Sequence, residues 1–479
     1  MKGRYRRYAL FIGLWGLFAC VGPRPVALRS SITLPARYAG TAQAETLSLA
    51  NNPWQSLYTD PYLAALIDTA LARNQELSIL LTEIEIAHSE VKARTGEYLP
   101  FLSPGGRVDV DKVGRYTRMG AVEHTLEVAP GEAFPEPFST YEIGAYAHWE
   151  LDIWKRLRTL RRAALLRYLA TIEGRRYAVT RLVAEIAETY YELLAVDNLL
   201  TTIDEYIQIQ MNALQLMRLS KAAGKATQLA VNRFEARLLH TQNRRYALQQ
   251  RRTELENYLN FLVGRLPEPL PRASQGFLDK TIDTTLMVGV PLQLLRNRPD
   301  LRQAELELKA AHLEALAAYA AFLPQVSLSG VVGMQAFRPA FLLSPESMLY
   351  QLAAEAILPW INRNALKAGY IAAKARQRQA LLRYERTLIH AYAEVLNELA
   401  HIQNFSQSFR VKAEEVRLLT ESIAIANNLY RAAEADYLEV LLTQVEALDA
   451  RMELIETKLE LLKAQIGLYR ALGGGWQGT

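Results

Sequence analysis

The stretch from Tyr141 to Met217 changes its hydrophobic period once and contains no proline. From Tyr141 to Asp152 the period is two. Tyr141, Ile143, Ala145, Ala147, Trp149 and Leu151 fall on one side, and Glu142, Gly144, Tyr146, His148, Glu150 and Asp152 on the other. That alternation predicts a strand with one apolar and one polar face. The period then becomes helical: Leu182, Ile186, Thr189, Leu193, Val196, Leu200, Ile203 and Ile207 recur in steps of four and three, followed by Leu214 and Met217. This is a heptad seam, which packs lengthwise on neighbouring helices. A helix from about Trp154 to Met217 would be roughly 95 Å long at 1.5 Å per residue. Ordinary globular helices run three or four turns, so a compact enzyme is a poor fit.

The chain repeats this device. Shifted by 224 positions, Glu83 falls on Glu307, His88 on His312, Leu99-Pro100 on Leu323-Pro324, Ser103 on Ser327 and Gly106 on Gly330. Two copies predict a duplication, not a solenoid. Residues 61–265 form the first repeat, with a helix, strands at 101–118 and 139–153, a long helix at 154–217 and a returning helix at 228–263. Residues 266–299, rich in proline, form a linker. Residues 300–479 form the second repeat, with strands at 325–337 and 348–360, a long helix at 361–428 and a last helix at 437–472. In that last helix Leu441, Val445, Leu448, Met452, Ile455, Leu459, Leu462, Ile466 and Tyr469 hold the 4-3 spacing unbroken.

The start of the chain reads as a targeting segment. Residues 1–19 combine basic residues with a short apolar run, the proportions of a signal peptide. Residues 20–60 read as an irregular lead from an anchor. Removing Lys2, Arg4, Arg6 and Arg7 with the signal takes the formal charge from +5 to +1, which gives no support for a nucleic-acid partner. The single cysteine, Cys20, ends the run in Leu17-Phe18-Ala19-Cys20; a rival cleavage site is Ala42-Gln43-Ala44. One cysteine permits no disulfide within the chain. No later run is apolar enough for a spanning helix. The seven histidines are scattered without a ligand pair, and neither a P-loop nor a nucleophile elbow occurs. No enzymatic activity and no cofactor are expected.

Four strands of about ten residues suit a membrane in length, but a single-chain bacterial barrel needs at least about eight. Either the strands form a small soluble sheet, or several chains share one barrel; three chains would supply twelve strands. The long helices also want neighbours on both sides, which a ring of helices supplies. A periplasmic adaptor or scaffold with long helical hairpins is the alternative, though it calls for one hairpin and compact β domains.

Several stretches resemble the TolC-type outer-membrane factor family, in its OprM/NodT-like lipoprotein branch. They are Cys20-Val21-Gly22-Pro23; Trp149-Glu150-Leu151-Asp152-Ile153-Trp154 with Arg156-Leu157-Arg158; Val290-Pro291-Leu292 with Arg298-Pro299-Asp300-Leu301-Arg302-Gln303-Ala304-Glu305; Phe322-Leu323-Pro324 with Ser327-Leu328-Ser329-Gly330; and Leu472-Gly473-Gly474-Gly475-Trp476. The resemblance implies a mainly α fold with membrane β: a periplasmic α-barrel of long coiled-coil-like helices and a shared, homotrimeric twelve-stranded β-barrel. It implies the exit duct of a tripartite efflux system, anchored in the outer membrane and reaching into the periplasm. Its partners would be a periplasmic adaptor, an inner-membrane pump of the RND type and outer-membrane lipid. The resemblance also implies acylation of Cys20 and a periplasmic gate at the turn between the last two helices. There Glu439 stands where the family usually has an aspartate, Asp436 lies one turn earlier, and Leu442 replaces the family's second aspartate.

Overall fold

The computed structural model describes residues 24–38, 48–273, 276–282, 288–432 and 434–477. Its principal elements, in chain order, are α1 (Pro61–Arg73), α2 (Gln75–Glu97), β1 (Phe101–Asp111), α3 (Arg118–Thr125), β2 (Phe138–Glu150), α4 (Arg156–Ala222), α5 (Gln228–Val263), α6 (Pro299–Ala320), β3 (Gln325–Ala336), β4 (Met348–Ile357), α7 (Asn364–Arg431) and α8 (Tyr437–Ala471). The chain divides into two compact units. The first holds residues up to Arg29, Glu85–Tyr168 and Leu306–Leu381; the second holds Ser30–Ile84, Leu169–Glu305 and Leu382–Thr479. The signal segment and Cys20 lie outside the described residues.

The first unit is organised by one antiparallel sheet in the order β1-β2-β3-β4. Each repeat contributes one hairpin, and the two meet at β2–β3, where Gly144 lies opposite Gly333. Neither tolerates a side chain: a Cβ on Gly333 would sit 2.3 Å from the Ile143 carbonyl oxygen, and one on Gly144 2.8 Å from that of Val332. The repeats start their strands 224 positions apart, at Phe101 and Gln325, each just after the Leu-Pro pair that stops the preceding helix.

The predicted first strand ran to Arg118, but β1 stops at Asp111. The reason is a local cap that hydrophobic periodicity does not reveal. The Thr117 hydroxyl donates to the Gly114 carbonyl and accepts from the Gly120 amide at 3.2 Å, which starts α3. The segment after α3 contains a small hairpin (Glu127–Ala129 with Glu132–Ala133) turned at Gly131.

The second unit is helical, and its core is the predicted heptad. Leu182, Ile186, Thr189, Leu193, Val196, Leu200, Ile203, Ile207, Leu214 and Met217 of α4 are all buried. Leu448, Met452, Ile455, Leu462, Ile466 and Tyr469 of α8 are buried too, and both sets join one core with α5. The helical stretch before the first strand is three segments, Trp54–Leu57, Pro61–Arg73 and Gln75–Glu97. Asn74 makes the second break: its amide donates to the Leu262 carbonyl at 2.8 Å while its Oδ1 accepts from the Leu77 amide. The described residues before α1 are not a free lead. Trp54 and Tyr58 are fully buried, and Tyr38 stacks on Tyr392 of α7. The Pro-rich segment between α5 and α6 contains short turns at Phe277–Asp279 and Pro291–Gln293 and one turn of helix at Leu294–Asn297.

Candidate functional site

In an antiparallel pair, directly opposed residues share a face, so the register sorts the sheet into two. Leu102 and Val108 of β1, Tyr141 to Trp149 at odd positions of β2, Val326 to Met334 at even positions of β3, and Met348, Tyr350, Leu352, Ala354 and Ala356 of β4 lie on one face. No charged residue is among them. Yet these side chains are not buried: Tyr350 is 79% exposed, Leu352 80% and Leu102 71%. A sheet that leaves Leu and Tyr uncovered is built for a non-aqueous surround. The other face carries Arg107, Asp109, Glu142, Tyr146, Gln351 and Glu355, with Arg107 paired to Asp109 and the Tyr146 hydroxyl donating to Glu142 at 2.6 Å. The outer edges of β1 and β4 pair with no other strand among the described residues.

The passage from β2 into α4 explains the Trp149–Arg158 motif residue by residue. The Asp152 carboxylate, almost fully buried, accepts from the amides of Leu157 and Arg158 at 2.9 and 3.0 Å. It thus caps two of the donors that open a helix and neutralises its positive end. Asp152 and Lys155 both have positive φ, which lets the chain turn sharply from strand to helix. Glu150 binds Arg156 at 2.9 Å. The indole N–H groups of Trp149 and Trp154 donate to the carbonyls of Tyr98 and Pro324.

A second motif pair meets in the helical unit. Arg298 is 3% exposed and forks onto Asp300 at 3.1 and 2.8 Å, while its Nη1 donates at 2.7 Å both to Glu394 of α7 and to the Ala471 carbonyl that ends α8. Next to it, Gly473 (φ +91) packs where a Cβ would meet the Asn297 carbonyl oxygen at 2.6 Å. The Trp476 indole donates to that same oxygen, and Arg176 lies over the Trp476 ring. The residues 298–305 and 472–476 are therefore one locking node. Arg298, Pro299, Asp300 and Gly473 line a cavity of about 90 Å³ with residues of α4, α7 and α8, among them Thr180, Glu394 and Arg470.

The turn between α7 and α8 holds Asp436, Glu439 and Leu442. All three are exposed, while the intervening Val440 and Leu441 are buried. Spaced by three, they share one outward side of the first turns of α8, and the Asp436 carbonyl accepts the Glu439 amide at 3.1 Å. The turn between α4 and α5 closes with Gly224 (φ +70) and Thr227, whose hydroxyl caps the Ala230 amide. Among the described residues no His, Cys, Asp and Glu cluster is arranged to hold a metal, and no helix is long and apolar enough to cross a membrane.

The sequence model described as outer membrane efflux protein matches residues 66–265 and 290–474. The chain belongs to this family. A solvent efflux pump outer membrane protein of Pseudomonas putida, SrpC, is 27% identical over 92% of this chain and 91% of its own. The pyoverdine export outer membrane protein OpmQ of Pseudomonas putida is 26% identical over 96% of both chains. The open-state outer membrane channel MtrE of Neisseria gonorrhoeae superposes with a TM-score of 0.82 at 24% identity, over 95% of this chain and 99% of its own. This efflux protein is thus an outer-membrane channel, with its helices extending into the periplasm. The adaptor alternative falls, because the family match spans both repeats.

Proposed function

We propose that three copies of this chain share one twelve-stranded barrel and one helical ring, forming a passive exit duct without a catalytic step. The sheet supports this reading most directly. In lipid an unpaired edge leaves backbone groups unsatisfied, and the free edges here, β1 of 11 residues and β4 of 10, match in length. The helices support it independently. Besides its buried seam, α7 carries a second apolar stripe in two heptad-spaced runs, Leu382 and Ile389, then Val411, Leu418 and Ile425, all at least half exposed. Such a stripe suits a neighbouring helix from another copy.

In this reading Cys20 is acylated and tethers the chain to the outer membrane, and the tip of the α7–α8 hairpin forms the gate. Three copies would bring Asp436 and Glu439 into acidic rings, with Leu442 as an apolar ring beside them. The tip would dock a periplasmic adaptor coupled to an inner-membrane pump of the RND type. The relatives are named for cargoes as unlike as solvents and pyoverdine, so the duct itself is a poor place to look for cargo choice.

The decisive test places one cysteine on each edge strand, Ser103→Cys and Ala353→Cys, in a Cys20→Ser background. Three strand spacings separate them within a chain, roughly 14 Å, so a shorter thiol cross-linker can join them only between chains. A ladder ending at three chains is expected. Monomer alone, or recovery as a soluble monomer without detergent, refutes the shared barrel.

A further inference from the structure

Along the seam positions of α4 from Leu193 to Met217 one residue is polar, although Thr202 beside the seam is also buried. Between Ile207 and Leu214 stands Gln210, 2% exposed, and neither its Oε1 nor its Nε2 has a hydrogen-bond partner. On α8, Gln444 is equally buried between Leu441 and Leu448, and its Oε1 is unpartnered too. On α5, Thr241 is wholly buried and turns back on its own helix, donating to the Arg237 carbonyl at 3.1 Å. The Nε of Arg237 is buried without a hydrogen-bond partner, and its Nη2 has only the ion pair to Asp449 at 3.8 Å.

These residues lie at one level of the bundle. Ion pairs fix the register: Glu205 with Arg451 at 3.2 Å, Asp204 with Arg245 at 2.7 Å, Arg218 with Glu235 at 3.3 Å and Arg244 with Asp449 at 2.7 Å. Counting from them along the antiparallel helices sets Gln210 within about one turn of both Thr241 and Gln444. A polar layer in a heptad core lowers stability and marks a place where packing differs from the rest. Buried polar groups left unmet in one arrangement favour another in which they are met.

We propose that the Gln210–Thr241–Gln444 layer, with Arg237, is a hinge that makes the hairpin tips beyond it a separately opening unit. In the packed arrangement the two amides are short of hydrogen-bond partners, and Arg237 holds only its 3.8 Å pair with Asp449. Displacing the tips admits water or lets the amides pair with Arg237, so the layer offsets part of the cost of breaking the apolar contacts below it. An unbroken leucine seam would have no such second arrangement. The proposal rests on the duct reading only for its consequence, control of the mouth.

Hydrogen–deuterium exchange on the assembled, detergent-solubilised protein tests it. Gln210→Leu with Gln444→Leu is expected to slow exchange at least tenfold in the peptides covering 211–240 and 434–443, while those covering 182–200 keep their wild-type rates. Uniform slowing along α4, or none, overturns the hinge. If the double variant does not assemble, Gln444→Met alone is measured, with the same localised slowing expected and the same overturning result. Single-channel conductance is recorded in parallel: localised slowing with wild-type conductance leaves the hinge in place and refutes the gate at the tip.

Discussion

Arg298 offers the sharpest test of how the helical unit is held. Its guanidinium is 3% exposed and serves four acceptor contacts on Asp300, Glu394 and the Ala471 carbonyl. The side chains of Asp300 and Glu394 are themselves only 13% and 18% exposed, so screening by water is weak. Arg298→Ala strands two carboxylates and a helix-terminal carbonyl, a loss of about 3–5 kcal/mol for a buried pair broken on one side. For a helical unit of this size, with an unfolding entropy of about 2.1 cal/mol/K per residue, this lowers the melting temperature by roughly 5–8 °C. Arg298→Lys keeps the charge but not the planar fork. It forfeits at least one charge-assisted hydrogen bond, about 1.5–3 kcal/mol. The assay is thermal unfolding followed by tryptophan fluorescence, at fixed protein and detergent concentration because assembly contributes to the midpoint. Trp476 beside Asn297 reports directly. Neutralising the partners as well, with Asp300→Asn and Glu394→Gln, is expected to recover part of the loss. An Arg298→Ala midpoint within about 2 °C of wild type, which corresponds to less than about 1 kcal/mol, would refute the reasoning.

Three further outcomes follow from the geometry. Burial raises the pKa of Glu398, partly opposed by His401 and Arg470. Between the ordinary carboxylate value and the raised one, the folded state therefore binds more protons than the unfolded state, and stability falls as pH rises through that window. Glu398→Gln is expected to flatten this fall in a melting-temperature series, and an unchanged slope counts against it. Replacing Asp436 and Glu439 together with alanine should raise conductance in a planar bilayer; an unchanged value removes both from the gate. Cys20→Ser should leave a mature chain lighter by its acyl groups in intact-mass measurement while barrel assembly persists, and a wild-type chain already without lipid sinks the anchor.

Much of the architecture could be read from periodicity because its signals are local or repeated. The heptad of α4 and the alternation of β2 each need only neighbours within a few turns. The 224-residue offset needs only self-comparison. What stayed hidden depends on residues brought together from afar. The Arg298 stretch stands out as a motif, but its reason does not: Glu394 and Ala471 are 96 and 173 positions away. The second stripe on α7 is easily missed because one seam per helix already satisfies the search for a core. The gap in the α4 seam at Gln210 is visible in the sequence, yet only burial on all sides gives it meaning. The early end of β1 is masked by Val113, which prolongs the strand-like composition beyond Asp111.

The two bare edges of the sheet carry a consequence for biogenesis. Each edge strand of 10 or 11 residues points about half of its backbone N–H and C=O groups away from its neighbour. In hydrocarbon each unmet group costs several kcal/mol. A lone chain entering the bilayer would therefore face a barrier of tens of kcal/mol that no side chain on the sheet can offset. With the barrel shared as proposed, the bilayer would act as a checkpoint on stoichiometry, admitting the sheet only when other copies arrive with it. A surplus of single chains should accumulate at the membrane surface, held by the anchor, rather than within it.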